Sequence, residues 1–185
     1  MTAFLIVFAV FAVFVILSYN LLVTKRNAVS NAYSSIDVYL KNRYDLIPNL
    51  VASVKTYMEH EANTLIRITE LRSKLLQGQL PPGERLKAEG ELSGLLSRLL
   101  MVSENYPQLR ANENFLHLQQ SLAEMEERIS AARRAYNAAV TDYNNALGIF
   151  PINIIAGIFN FKPAEWFEAP EEEKKTPDVR ALFKN

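Results

Sequence analysis

The sequence predicts an all-α protein: a single N-terminal transmembrane helix followed by an antiparallel up-down four-helix bundle. Three observations predict it. Residues 1–23 carry no charged side chain, and residues 3–17 are unbroken apolar sequence. Beyond them, apolar residues recur at three- and four-residue steps, the period of a helix face, with no strand-like alternation. Proline and glycine gather at a few points that divide this pattern into helix-length stretches.

The first 23 residues suit an anchor, because roughly 20 apolar residues span a hydrocarbon core as a helix. A cleavable signal peptide fits less well. Nothing basic precedes the apolar run, and bulky Ile16, Leu17, Tyr19, Leu21 and Leu22 stand where cleavage needs small residues. Lys25 and Arg26 follow the span, with Lys41 and Arg43 further on. By the positive-inside rule this flank is cytoplasmic. The expected location is a bacterial inner (cytoplasmic) membrane, single-pass, with the N-terminus outside and the bundle in the cytoplasm. Tyr19 falls where an interfacial aromatic is expected. Phe4, Phe8, Phe11 and Phe14 lie near one face of the span. They read as lipid-facing bulk rather than a helix contact, which small residues usually mark.

Four helices follow. The first carries Val29, Ala32, Ile36, Tyr39 and Leu40 and continues straight out of the membrane. The second is expected to start near Pro48, where a missing N–H suits a first turn, with Asp45 just upstream, and to run to Leu76. Pro81 and Pro82 lie in the break that follows. The third covers about 84–104 and is stopped by Tyr106-Pro107. Asn112 can cap the fourth, whose apolar positions are Phe115, Leu118, Leu122, Met125, Ile129, Ala132, Tyr136, Ala139, Tyr143, Ala146 and Phe150. Their strictly alternating steps of three and four make an a/d seam over five heptads, on a helix roughly 55 Å long at about 1.5 Å per residue. The chain divides into a 1–23 anchor, a 24–150 bundle, a short apolar 151–168 segment packing on the bundle, and a disordered 169–185 tail rich in acidic residues and proline.

Composition excludes several kinds of chemistry. Lys and Arg total 20 against 20 Asp and Glu, so no global field draws nucleic acid to the chain. There is no cysteine, hence no disulfide, thiolate zinc site or cysteine nucleophile. Di-iron bundles use Glu-x-x-His, but Tyr57 and Asn114 stand three residues before His60 and His117. His60-Glu61 opens like a zinc-protease motif, yet Thr64 occupies the second histidine position. Glu113 and His117 read as a solvated i,i+4 pair. No Gly-x-Ser-x-Gly, phosphate-binding loop or dinucleotide fingerprint is present. Arg133-Arg134 and Lys174-Lys175 read as solvated pairs. No catalytic residue, metal ligand or cofactor is expected.

Two stretches resist a purely structural reading. One is 41–50, with Asp45 and Pro48. The other is the apolar run from Phe150 and Pro151 through Ile154, Ile155, Ile158, Phe159 and Phe161 to Trp166 and Phe167. These nine residues are the candidate interaction surface. Either the segment folds back and plugs one end of the bundle, or it is exposed as a patch for a partner or for the membrane surface.

With these stretches in view, the chain resembles the LemA family. The match rests on Arg26-Asn27, Asp45-Leu46-Ile47-Pro48-Asn49-Leu50-Val51, Val54-Lys55, Tyr57, His60-Glu61 and Glu104-Asn105-Tyr106-Pro107. It continues through Ala111-Asn112-Glu113-Asn114-Phe115, Arg128-Ile129, Ala132-Arg133-Arg134, Tyr136-Asn137, Val140 and Tyr143-Asn144, and ends with Phe150-Pro151 and Phe161-Lys162-Pro163. It covers about 20–168. Asn160 stands where the family usually has glycine, and Trp166 where tyrosine is usual. The resemblance implies a bacterial membrane protein with one N-terminal span and a helical bundle, no established enzyme activity or cofactor, and a link to a membrane protease or envelope stress. The expected function is a non-enzymatic, membrane-anchored scaffold or adaptor. Its expected partners are the membrane and a membrane protease or other membrane protein, with a homo-oligomer open and no nucleic acid. The alternative is a self-assembling structural protein that coats or shapes the membrane.

Overall fold

A computed structural model describes residues 1–167; the expected disordered tail lies outside the described residues. Among these the protein is all-helical, as the apolar periodicity predicts. The first helix, α1, runs without interruption from Thr2–Lys55, 54 residues and roughly 80 Å at about 1.5 Å per residue. Its N-terminal part is the stretch long and apolar enough to cross a membrane. Its inward positions are Leu22, Val29 and Ile36 at steps of seven, then Leu40, Ile47, Leu50 and Val54.

The expected helix start at Pro48 is a correction: Pro48 lies inside α1, and Asp45 caps nothing. Proline has no N–H to offer the carbonyl four residues earlier, here Tyr44. Arg72 supplies the missing donor, its Nε lying 2.7 Å from the Tyr44 carbonyl oxygen. Tyr44, Ile47 and Leu50 are all buried on either side of the proline, so packing holds the helix through it.

The chain turns after Lys55 through the fully buried Met58 and a 3-10 turn at Glu59–Glu61. Helix α2 (Ala62–Leu76) is therefore only 15 residues long. Gly78, at φ 66°, makes the next turn, and α3 (Pro82–Ser103) starts on proline. A single turn, α4 (Pro107–Arg110), which the periodicity did not reveal, buries Leu109 in the core. Asn112 caps α5 (Glu113–Gly148) as expected, accepting the Phe115 N–H at 3.1 Å.

Cross-contacts fix the directions. Asp37 meets Arg85 and Arg43 meets Ser93, so α1 and α3 run the same way. Asp142 meets Lys25 and Glu126 meets Arg43, so α5 runs the other way, and so does α2, which starts at Ala62 just past the end of α1 and brings Arg72 back to Tyr44. One core joins these four helices, from Ile36 and Val54 of α1 to Phe115 and Ala132 of α5. The short α2 and α3 do not reach the membrane end. There α1 and α5 continue as a two-helix stem, with Val29 against Val140 and Tyr143, then Leu22 against Ala146. The α5 seam points inward along this length, and its eleventh member, Phe150, is exposed because α5 stops at Gly148.

Candidate functional site: collar, strap and buried ion network

The stem delivers the chain back to the level at which α1 loses its apolar character. After Gly148 the chain turns across Phe150-Pro151 into α6 (Ile152–Ile158). Ile155 and Ala156 are buried, and Ala156 packs against Leu22 and Ala146. Phe159 and Phe161 pack their rings on Tyr19, centroids 4.9 and 5.7 Å away, and the Arg26 guanidinium lies 5.4 Å over Phe161. Tyr19 and Leu22 are the last turn of the apolar span, so α6 forms a collar where the span ends. Its outward side is apolar: Phe150, Ile154, Ile158 and Phe159 are 76%, 53%, 70% and 49% exposed.

The α6 helix stops with a left-handed residue. Asn160 takes φ 54°, the Phe161 N–H bonds back to the Ala156 carbonyl at 2.9 Å, and the Asn160 N–H reaches Gly157 at 3.2 Å. This is the Schellman pattern, in which glycine is the usual residue and asparagine the next. It accounts for asparagine at a place where the resemblance leads one to expect glycine.

From there residues 161–167 run as an extended strap back along α5. Asn144 and Asn137 each hold one strap residue by both its N–H and its carbonyl, Ala164 and Phe167 respectively. The hydroxyls of Tyr143 and Tyr136 donate to the carbonyls of Lys162 and Glu165. Burial pushes both tyrosine hydroxyls up from their ordinary range, so they remain protonated donors. Trp166 donates to the Thr141 hydroxyl at 3.1 Å.

The nine candidate residues therefore separate. Phe150, Ile154, Ile158 and Phe159 share the exposed collar. Trp166 is exposed higher up the stem. Pro151, Ile155, Phe161 and Phe167 turn inward, Phe167 onto the main core beneath the Arg133 guanidinium at 4.8 Å. Arg133, expected to be solvated, is half-buried here, whereas Arg134 is exposed.

Sequence reasoning missed a second constellation. Arg43 is 1% exposed and reaches three partners on two helices: Glu89, Ser93 at 2.8 Å and Glu126 at 2.7 Å. Glu89 also accepts from the Tyr44 hydroxyl. Burial, partly offset by Arg43 and Arg133, pushes the Glu89 carboxyl up to about 7. A cavity of about 330 Å³ opens beside it, walled by Tyr33, Asp37, Arg85, Arg133 and the strap residues Trp166 and Phe167. The signal was present: Ile36, Leu40, Arg43, Ile47, Leu50 and Val54 follow steps of four and three, with a charge at one core position. His60, His117 and Glu113 are exposed, and among the described residues no three metal-ligating side chains come together.

A family model for LemA matches residues 32–180, most of the chain. The protein belongs to the LemA family. Its relatives include magnetosome protein MamQ 2 of Paramagnetospirillum magneticum, 28% identical over 178 residues, covering 83% of this chain and 65% of that protein. Protein LemA of Metamycoplasma hominis is 27% identical over 163 residues, 88% of this chain and 74% of that one. Magnetosome protein MamQ of Magnetospirillum gryphiswaldense is 24% identical over 177 residues, 82% and 65% respectively. This LemA-family chain spans 65% of the length of these MamQ relatives. It is a membrane-associated protein of the LemA type.

Proposed function

We propose that this protein is a non-enzymatic scaffold or adaptor, anchored in the bacterial inner membrane with its N-terminus outside and its bundle in the cytoplasm. It presents that bundle to another membrane protein engaged in quality control or the response to envelope stress. The observation that carries the reading is the continuity of α1, which is one helix from the apolar span to the far end of the core. A domain joined this way is held at a fixed height and rotation over the bilayer, as suits a docking platform. The collar adds an apolar surface at membrane level, where it meets the bilayer and a partner seated in it. Lys25 and Arg26, directly after the span, support the cytoplasmic side.

In-membrane crosslinking followed by pull-down tests the reading. The intact chain is compared with a variant carrying Ile154→Asn and Ile158→Asn, two exposed collar positions whose change leaves the buried Ile155 and Ala156 in place. A membrane protein recovered with the intact chain and lost with the variant is the expected result. Recovery of no membrane protein by either chain sinks the adaptor reading. Equal recovery by both moves the docking surface off the collar.

A further inference from the structure

Charge is unevenly placed along this molecule. The whole chain balances 20 basic against 20 acidic side chains. At the membrane end, residues 1–36 and 138–164 hold three cations, Lys25, Arg26 and Lys162, and one carboxylate, Asp142. Lys25 takes that carboxylate at 2.9 Å. Arg26 and Lys162 are exposed, and among the described residues neither is in an ion pair.

The fold brings these two cations to one ring. The Arg26 guanidinium lies 5.4 Å over Phe161, whose ring packs on Tyr19. Lys162 follows Phe161 directly, and Tyr143 fixes its main chain by donating to its carbonyl at 3.0 Å. Asn160, at φ 54°, turns the chain out of α6, so the exposed collar residues Ile154, Ile158 and Phe159 lead straight into this charged corner. The heights fit a lipid. Residues 3–22 rise about 30 Å, the thickness of a hydrocarbon core. Arg26 stands about 6 Å further along α1, within a headgroup layer roughly 5–7 Å deep. An apolar shelf therefore lies at the edge of the hydrocarbon, with cations at the level of the phosphates. A soluble phosphate would engage the cations and leave Ile154 and Ile158 in water. A phospholipid engages both, and interfacial segments bind through apolar area and attraction to anionic lipid together.

We propose that Arg26 and Lys162 hold the headgroup phosphate of an anionic phospholipid whose acyl chains lie against Ile154, Ile158 and Phe159, making the collar a lipid-selective site. The inference rests on the placement of the collar at the bilayer in the reading above, and not on any protein partner. The full-length chain with Trp166→Phe and Ile158→Trp reports on the lipid beside the collar, since Trp166 is the single tryptophan and Ile158 is 70% exposed. It is reconstituted into two sets of phosphatidylglycerol–phosphatidylcholine vesicles of the same total composition. Bromine is carried by the phosphatidylglycerol in one set and, at the same mole fraction, by the phosphatidylcholine in the other. The expected result is stronger quenching by brominated phosphatidylglycerol, with a preference of roughly fivefold for each of the two cations. Lys162→Gln should remove one such factor and Lys162→Arg retain it. This exposed side chain is changed without disturbing the core, so the test does not depend on Arg26, which also packs on Phe161. Adding Arg26→Gln to Lys162→Gln should abolish the preference and leave quenching by both lipids equal. Equal quenching by the two lipids without these changes overturns the proposal and leaves the collar at the bilayer. A preference that survives both glutamine changes also overturns it. Quenching by neither lipid places the collar off the membrane and overturns the proposal together with the reading on which it rests.

Discussion

Arg43 and Glu89 sit where heptad spacing asks for aliphatic side chains, and the core is built around that exception. A buried guanidinium is tolerated only when opposite charge and acceptors surround it. Arg43 has Glu89, Ser93 and Glu126, while its Nε remains without a partner. The same burial raises Glu89 to about 7, above the 4.5 of a free glutamate. The sign follows by linkage. Below about 4.5 both folded and unfolded chains hold the proton, and the full stability is present. Between 4.5 and 7 the folded state binds more protons, so stability falls as pH rises and is lost through about 7. The detergent-solubilised protein should melt at a higher temperature at pH 5.5 than at pH 7.5. Glu89→Gln, which cannot ionise, should flatten that slope. An unchanged slope in the variant would remove Glu89 as the cause.

At the scale of the element, the decisive exchange is between Pro48 and Arg72. A proline in mid-helix ordinarily bends or ends the helix, because it leaves a carbonyl unpaired and crowds the preceding turn. In this protein a side chain from α2 occupies that carbonyl, and α1 passes on into the core. Arg72→Ala should therefore destabilise the fold by about 1–2 kcal/mol, the usual cost of leaving a buried carbonyl unpaired. In a Pro48→Ala background the restored N–H serves Tyr44, and Arg72→Ala should cost clearly less. Equal costs in the two backgrounds, measured by denaturant midpoints, would show that Arg72 acts elsewhere.

At the scale of the molecule, one rod and one returning helix set every height. The span, stem, collar and core follow one another along α1, and α5 brings the chain back to Tyr19 and Leu22. The collar residues should then lie at the boundary of the bilayer. Trp166 is the single tryptophan, so Trp166→Phe gives a silent background for Phe159→Trp. In proteoliposomes the new tryptophan should emit at short wavelength and be quenched by lipids brominated near the headgroup. Emission typical of water, unaffected by brominated lipid, would place the collar off the membrane.

The sequence by itself determined the helical class, the apolar anchor, the α5 seam and the Asn112 cap, because period and capping are local properties that one stretch of chain displays alone. It also isolated the apolar 150–167 run. It misplaced the first bundle turn at Pro48, since the donor that repairs α1 lies on another helix. It did not separate Ile155 and Phe161, which turn inward, from Ile154 and Ile158, which face out, because a seven-residue helix is too short for its period to be read. Only the tertiary structure brought Arg43 to Glu89 and the strap to Asn137 and Asn144. Those contacts join residues 20 or more positions apart, and their partners are chosen by the packing of whole helices rather than by any local preference of the chain.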